Sequence, residues 1–127
     1  MNLFGDAKVT ARAADSGRKL AALHESQQQY RDNPCKETQY AFATALFDVG
    51  RFEEAERLLA DLINSYGDDR QILYDLAFTY KNLDRIEEAK AAFMRLIALD
   101  PKHSLARSAE QELWRIDPTS PPSWVKK

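Results

Sequence analysis

One motif occurs twice in this chain at a fixed distance, and that spacing constrains the fold more than any other feature of the sequence. Gly50-Arg-Phe-Glu-Glu-Ala55 is followed 34 residues later by Asp84-Arg-Ile-Glu-Glu-Ala89. Residues 36–69 can be laid over residues 70–103 without a gap, and most apolar positions keep their character. The identical pairs in this alignment are Tyr40/Tyr74, Ala43/Ala77, Arg51/Arg85, Glu53/Glu87, Glu54/Glu88, Ala55/Ala89, Leu62/Leu96 and Ile63/Ile97. A period of this length predicts a stacked array of structural repeats.

Each copy of the repeat has the apolar spacing of two amphipathic helices. In the first copy the apolar positions are Phe42, Ala43, Leu46, Ala55, Leu58, Leu59 and Leu62. In the second copy they are Leu73, Leu76, Ala77, Tyr80, Ala89, Phe93, Leu96 and Ile97. Helix stops and caps lie between these segments at Asp32-Asn33-Pro34, Gly50, Gly67-Asp68-Asp69 and Asp100-Pro101. Each copy is therefore predicted to be a helical hairpin.

The second copy resembles a tetratricopeptide repeat (TPR) in its large, small and proline positions. The residues that match are Leu73, Leu76, Ala77, Tyr80, Ala89, Phe93 and Pro101. The first copy departs more, because Gln39 stands at the first large apolar position and Gly67 stands where proline is expected. The resemblance implies an all-α fold, a short right-handed superhelix of helical hairpins closed by N- and C-terminal capping helices.

We expect the whole chain to form one TPR-like domain, because stacked helical pairs need about three units and polar terminal helices to bury a core. Its predicted parts are an N-terminal helix (6–31), repeat 1 (36–69), repeat 2 (70–103), a C-terminal capping helix (104–116) and a proline-rich tail (117–127). The tail carries three of the five prolines and is predicted to be extended.

The N-terminal helix is predicted to be amphipathic. Its apolar face is expected to include Val9, Ala13, Leu20, Leu23 and Tyr30. A bend is predicted near Ser16-Gly17, the position of the one glycine in this segment.

Composition and charge favour an ordinary soluble domain. The chain has 127 residues, of which 44% are hydrophobic and 30% are charged. No apolar run approaches the roughly 18 residues of a membrane span, and residues 1–10 lack the apolar core of a secretion signal. We therefore expect a cytoplasmic protein without membrane insertion. Because basic residues are interleaved with acidic ones, and Lys126-Lys127 is too short to form a basic stripe, no nucleic-acid partner is predicted.

The sequence contains no convincing catalytic or metal-binding motif. His24 and His103 fall in different predicted elements, and neither has a persuasive second ligand at helical spacing. The lone Cys35 is interpreted as a helix-start residue. The pairs Glu53-Glu54 and Glu87-Glu88 begin helices, where carboxylates interact favourably with the positive helix end. We predict that the protein is not an enzyme and has no cofactor and no metal.

The first helix of each repeat is apolar on two faces, which is more than a simple hairpin requires. The resemblance to TPR proteins implies that these helices line a concave groove. The corresponding partner-contacting positions are Glu37, Tyr40, Thr44, Phe47, Asp48, Gln71, Tyr74, Phe78, Lys81 and Asn82. The resemblance thus implies an aromatic groove with an acidic N-terminal side. Because aromatic rings offer large contact areas at low entropic cost, we expect a protein or peptide partner with apolar or aromatic anchors and some positive charge.

Two properties of the family bear on this prediction. Members that bind acidic chaperone tails use lysine and asparagine on these helices, whereas this chain has Tyr40, Thr44, Tyr74 and Phe78 at those places. Recognition of such tails is therefore not expected. The alternative to a free groove is a structural, self-assembling homo-oligomer, in which the N-terminal helix or the tail covers the rings. In a further alternative, Trp124 docks into the groove of the same or a neighbouring molecule.

The repeat alignment also makes a prediction about packing. Ala55 and Ala89 occupy the same register and are expected to lie where helices approach closely.

Overall fold

The computed structural model describes the backbone of residues 3–119 and 121–125 and the side chains of residues 15–119 and 121–125. This described part contains six α-helices and no strand. The helices are α1 (Leu3–Asp32), α2 (Lys36–Asp48), α3 (Phe52–Tyr66), α4 (Arg70–Asn82), α5 (Ile86–Leu99) and α6 (Ser104–Ile116). The all-α fold of helical hairpins that the repeat predicts is confirmed.

The helix boundaries follow the 34-residue period beyond the two copies seen in the sequence. Helices α2, α4 and α6 begin at residues 36, 70 and 104 and end at residues 48, 82 and 116. Helix α6 therefore occupies the place of the first helix of a third hairpin. Helix α1 ends at Asp32, which is 34 residues before the end of α3 at Tyr66, so it stands where the second helix of a preceding hairpin would stand.

The residues that cap the first helices also recur with this period. Cys35, Asp69 and His103 are the N-caps of α2, α4 and α6. Asp69 Oδ1 accepts two backbone N–H groups of α4 at 2.9 and 3.2 Å, and His103 Nδ1 accepts one of α6 at 3.1 Å. The backbone N–H of Cys35 donates to Thr38 Oγ1 at 3.0 Å. The side chains of Asp69 and His103 satisfy N–H groups that have no partner inside the helix, whereas at Cys35 the Thr38 hydroxyl accepts the N–H of the cap residue itself. Cys35 and Asp69 are thus helix-start residues, as interpreted from the sequence.

The core lies where successive helices pack on each other. The larger cluster contains residues of every helix from α2 to α6. Its fully buried side chains include Leu62, Leu73 and Phe93. A smaller cluster joins Leu23 of α1 to Ala45, Leu46 and Ala55. Ala55 and Ala89 are both completely buried, as expected for positions of close helix approach.

Helix α1 differs from the amphipathic helix that the sequence predicts. Leu20 was assigned to its apolar face, yet 52% of this residue is exposed. Leu23 is buried, and the ring of Tyr30 lies 5.9 Å from that of Phe42. The physical reason is that α1 packs mainly against α2, which leaves most of its described side chains exposed to solvent.

The backbone of α1 is longer than predicted and is helical at the position of the expected bend. It begins at Leu3 and runs as uninterrupted helix through Ser16-Gly17 to Asp32. Gly17 has no neighbouring atom within 4 Å of the position that a Cβ would take, so no close contact requires glycine there. The side chains of Val9 and Ala13 lie outside the described residues.

The described part of the tail forms no helix and lies against α6, but it is not extended throughout as predicted, because the backbone N–H of Val125 donates to the oxygen of Pro122 at 3.0 Å in a turn. The backbone N–H of Ser123 donates to Glu110 at 2.7 Å, and its hydroxyl donates to the same carboxylate at 2.9 Å. The ring of Trp124 lies over Arg107, with 4.9 Å between the guanidinium carbon and the ring centroid. Pro122 is buried in this contact region. The tail residues Ser120, Lys126 and Lys127 lie outside the described residues.

The face of α6 that receives the tail corresponds to an interior face of α4. Arg107 and Glu110 stand 34 residues after Leu73 and Leu76, which α4 buries in the core. Because no second helix follows α6 within the described residues, this face is polar and the short tail lies over it. None of the helices in the described residues is both long enough and apolar enough to span a membrane.

Candidate functional site

A pocket with a volume of about 330 Å³ opens between α2 and α4, with α3 behind it. Its lining residues are Ala43, Thr44, Phe47, Asp48, Leu59, Tyr74, Asp75 and Phe78. The structure thus brings together five of the ten residues predicted to contact a partner, namely Thr44, Phe47, Asp48, Tyr74 and Phe78. We call this pocket the groove.

The aromatic wall of the groove is supported by the core. The rings of Tyr74 and Phe78 on α4 lie 4.9 Å apart, and both pack against Phe93 of α5. The ring of Phe78 meets that of Phe93 edge to face at 5.6 Å. Because Phe93 is fully buried, it fixes the two rings in place while each keeps one surface at the groove.

Asp75 is a groove residue that the sequence analysis missed. Its Oδ2 accepts the hydroxyl of Tyr40, and its Oδ1 accepts Gln71 Nε2 at 3.1 Å. Burial raises the pKa of the Asp75 carboxyl above its ordinary value, and the nearby charges of Asp69 and Asp48 add to this, while the two hydrogen bonds oppose it. Two predicted residues, Tyr40 and Gln71, therefore hold this carboxylate at the edge of the groove.

The signal that could have found Asp75 is present in the sequence. It stands one helical turn after Gln71 and one turn before Phe78, so it shares their face of α4. In repeat 1 the same register holds Ala41, so the alignment of the two copies does not single out this position. The pKa of Tyr40 is raised as well, first by burial and then by its hydrogen bond to Asp75.

Lys81 and Asn82 do not line the groove. Lys81 Nζ forms an ion pair with Glu112 of α6 at 3.0 Å and lies 5.4 Å from the ring centroid of Phe78. Asn82 Nδ2 donates to the backbone oxygen of Phe78 at 2.8 Å. Lys81 thus ties α4 to α6 beside the aromatic wall. Glu37, at the other end of the predicted set, is exposed outside the lining of the groove.

Neither flanking segment covers the groove within the described residues. Helix α1 packs on α2, and none of its described side chains lines the groove. The interpretation that Trp124 docks into the groove of its own molecule is wrong, because its ring lies over Arg107 on α6. The hydrogen bonds of Ser123 to Glu110 hold the tail at that position.

The paired glutamates lie at the starts of helices, as interpreted from the sequence. Glu53 and Glu54 lie in the first turn of α3, and Arg51 donates to Glu54 through two nitrogens at 2.7 Å. Arg85 and Glu88 repeat this arrangement at the start of α5. The described side chains do not place three or more histidine, cysteine, aspartate or glutamate residues together as metal ligands.

A further contact links the two hairpins through Tyr80. Tyr80 of α4 donates its hydroxyl to Glu56 of α3 at 3.1 Å, and Arg85 lies over the Tyr80 ring at 4.8 Å. Burial raises the pKa of Tyr80 to about 12, with a further contribution from Glu56. This tyrosine therefore stays uncharged at physiological pH and serves as a hydrogen-bond donor between the hairpins.

Comparison with known proteins agrees with the repeat pattern and the helix boundaries. A family model described as tetratricopeptide repeat matches residues 46–113, which is more than half of the chain. No curated protein matches the chain. Repeats of this family generally mediate protein–protein interactions and are typically not enzymes. The chain belongs to the tetratricopeptide repeat family.

Proposed function

We propose that the protein is an interaction module, an adaptor or scaffold, which binds a peptide or helix of a partner in the groove between α2 and α4. The observation that supports this most is the groove itself, where Phe47, Tyr74 and Phe78 offer aromatic surface that the described parts of α1 and the tail leave free. Concave apolar pockets with a few polar groups are the usual form of a binding site.

The side chains of the groove are already held in place, which favours affinity for a partner although the groove is small. Phe93 holds two of the rings from behind, and Tyr40 and Gln71 hold Asp75, so a partner would not have to order these side chains. The area offered by two hairpins is modest, so we expect a dissociation constant on the order of micromolar.

We also propose that residues 1–127 act as one TPR-like domain in the cytoplasm. The shared core of α2 to α6 supports one unit, and Leu23 joins α1 to it through the smaller cluster. The lone Cys35 fits a reducing compartment, because it has no second cysteine with which to form an internal disulfide.

The test uses a side chain that fills the groove and a matched control on the same helix. Thr44 is exposed and lines the groove, whereas Ala41 is exposed on α2 and does not line it. Random 12-residue peptides displayed on phage are selected on the full-length protein, and the binding of each is then measured to the Thr44→Arg and Ala41→Arg variants. We expect at least a tenfold loss for Thr44→Arg and less than a twofold change for Ala41→Arg.

Two outcomes would contradict this proposal. If every selected peptide binds both variants as well as the original protein, binding uses another surface. If light scattering across a concentration series shows that the protein self-associates and that Thr44→Arg abolishes the association, the groove is an interface between copies. Circular dichroism of both variants establishes that they remain helical.

A further inference from the structure

Two carboxylates line the groove without a cationic partner. Asp75 accepts hydrogen bonds from Tyr40 and Gln71, which are both neutral. Asp48, on the facing helix α2, also lines the groove and is close enough for its charge to raise the pKa of Asp75. Among the side chains that the structure describes, no lysine, arginine or histidine forms an ion pair with either carboxylate.

Two acidic residues that do not line the groove, Asp69 and Glu112, form ion pairs with lysines, in contrast to Asp75 and Asp48. Asp69 is 3.7 Å from Lys36, and Glu112 is 3.0 Å from Lys81. Lys36 and Lys81 are thus already engaged by carboxylates that do not line the groove. A half-buried carboxylate without such a partner costs free energy, and a cation brought by a ligand would remove that cost.

The walls of the groove suit a flat, weakly hydrated cation. Phe47, Tyr74 and Phe78 all line it, and the ring of Phe78 already has Lys81 Nζ at 5.4 Å from its centroid. A guanidinium group stacks on aromatic rings and can donate to two carboxylate oxygens at once. An ammonium group is more strongly hydrated and loses more when it enters an apolar pocket. The volume of about 330 Å³ accommodates a long side chain.

We propose that the groove takes an arginine side chain from the partner segment, with its guanidinium paired to Asp75 and Asp48 and stacked on the aromatic wall. This inference rests on the proposed function and specifies the chemistry of the ligand at the same site. Binding then depends on salt concentration and on the charge of the arginine, and apolar residues next to it fill the rest of the groove.

The experiment uses the displayed peptides that bind the full-length protein and lose binding to Thr44→Arg. In each peptide that contains arginine, this residue is replaced by citrulline, a neutral side chain of almost the same shape, and separately by lysine. Dissociation constants are measured with the unchanged protein, with Asp75→Asn, and with Asp61→Asn. Asp61 is exposed on α3 outside the groove, so its variant removes the same charge elsewhere.

We expect arginine to be enriched in these peptides and citrulline to weaken binding at least tenfold, with a smaller loss for lysine. Asp75→Asn is expected to weaken binding of the arginine peptide by about the same factor as citrulline does. It should have little further effect on binding of the citrulline peptide. Asp61→Asn is expected to change binding less than twofold. Asp48→Asn, at an exposed position, repeats the test with a substitution that leaves the bond between Tyr40 and residue 75 untouched.

The failures of the two proposals can be told apart. If groove-dependent peptides are found but lack arginine, or bind equally well with citrulline or with Asp75→Asn, the inference is overturned and the proposed function stands. If no selected peptide depends on the groove, both are overturned.

Discussion

The hairpins α2–α3 and α4–α5 have the same spacing but fill the same positions with different chemistry. Leu73 of α4 is completely buried, whereas Gln39, in the same register of α2, is half-buried and donates through Nε2 to the backbone oxygen of Leu58 at 3.0 Å. The polar residue is tolerated because its amide has a partner. The comparison teaches that the period determines where the helices begin. An interior position can be apolar or polar, provided that its side chain packs or forms hydrogen bonds with the residues around it.

The turns inside the two hairpins show the same principle in the backbone. Gly50 has φ +85°, and Asp84, at the matching position, has φ +60°. Both residues therefore adopt the left-handed conformation, which glycine enters freely and aspartate enters at some cost. The turn geometry is common to both hairpins, although only one of them has the residue that suits it best.

The strongest contrast between the hairpins is expected at Gln39 and Leu73. Leu73→Ala should lower the free energy of unfolding by about 2–5 kcal/mol, because it removes a buried side chain and leaves a cavity. Gln39→Ala should cost only about 0.5–1.5 kcal/mol, the usual contribution of a hydrogen bond. Urea denaturation followed by circular dichroism measures both values. If both variants lost the same free energy of unfolding, the two positions would contribute equally to their hairpins, and the contrast between Gln39 and Leu73 would be contradicted.

A smaller effect, equal in the two hairpins, is expected at the buried alanines. Ala89→Leu and Ala55→Leu should each cost roughly 1–3 kcal/mol, because both sites are completely buried and have no room for a larger side chain. Thermal unfolding of the two variants provides the measurement. An unchanged melting temperature for either one would argue against the shared close approach of helices.

The turn residues provide a reciprocal exchange. Gly50→Asp should destabilise the protein by about 1 kcal/mol, since the new residue must keep a positive φ. Asp84→Gly should stabilise it, by on the order of 0.5 kcal/mol, because the larger entropy that glycine loses on folding offsets part of the gain. Denaturation midpoints of the two variants should move in opposite directions. Movement in the same direction would mean that the turns are not equivalent.

The pH dependence of stability should show a contribution from Asp75, which has Ala41 as its counterpart in repeat 1. Because the pKa of Asp75 is raised in the fold above the ordinary value of 3.8, the folded protein binds this proton more tightly than the unfolded chain does. The contribution of Asp75 to the free energy of unfolding therefore falls as the pH rises from 3.8 through the raised pKa. The stability of Asp75→Asn relative to the original protein should thus be higher at about pH 7 than at about pH 3.

This pH-dependent change in the free energy of unfolding is expected to be the smallest of these effects, because Asp75 is only half-buried. Asp61→Asn, which removes an exposed carboxylate outside the groove, is measured in parallel as the charge control. A constant difference between Asp75→Asn and the original protein across this pH range would contradict the raised pKa.

The sequence predicts those features that depend on spacing. The starts of α2 and α4, the Asp69 cap and the aromatic positions Tyr74 and Phe78 all follow from the period and from helical periodicity. The helical spacing of Asp75 places it on the face of Gln71 and Phe78, but repeat 1 has Ala41 at this register, and the bond to Tyr40 on the neighbouring helix is not visible in the sequence. Pairings between helices of this kind leave no mark in the spacing of one segment.

The ends of the array were harder to predict for a different reason. Helix α6 keeps the boundaries of a first helix but has Arg107 and Glu110 where α4 has buried leucines, so its apolar pattern does not match. The position of Trp124 depends on Arg107 and on the bond between Ser123 and Glu110, which no periodicity describes. Leu20 was assigned to a buried face because helical spacing does not show how many neighbours a helix has.

The packing of each helix mainly on the next one along the chain has a consequence for how the protein folds and opens. Such local topology favours rapid folding, on the order of microseconds to milliseconds. It also allows α1, which is held mainly by α2, to detach without disturbing α4 and α5. Amide hydrogens should accordingly exchange fastest in α1 and slowest in the α4–α5 hairpin. A ligand that bridges α2 and α4 would slow exchange in α2 most, so the kinetics of exchange would report occupancy of the groove.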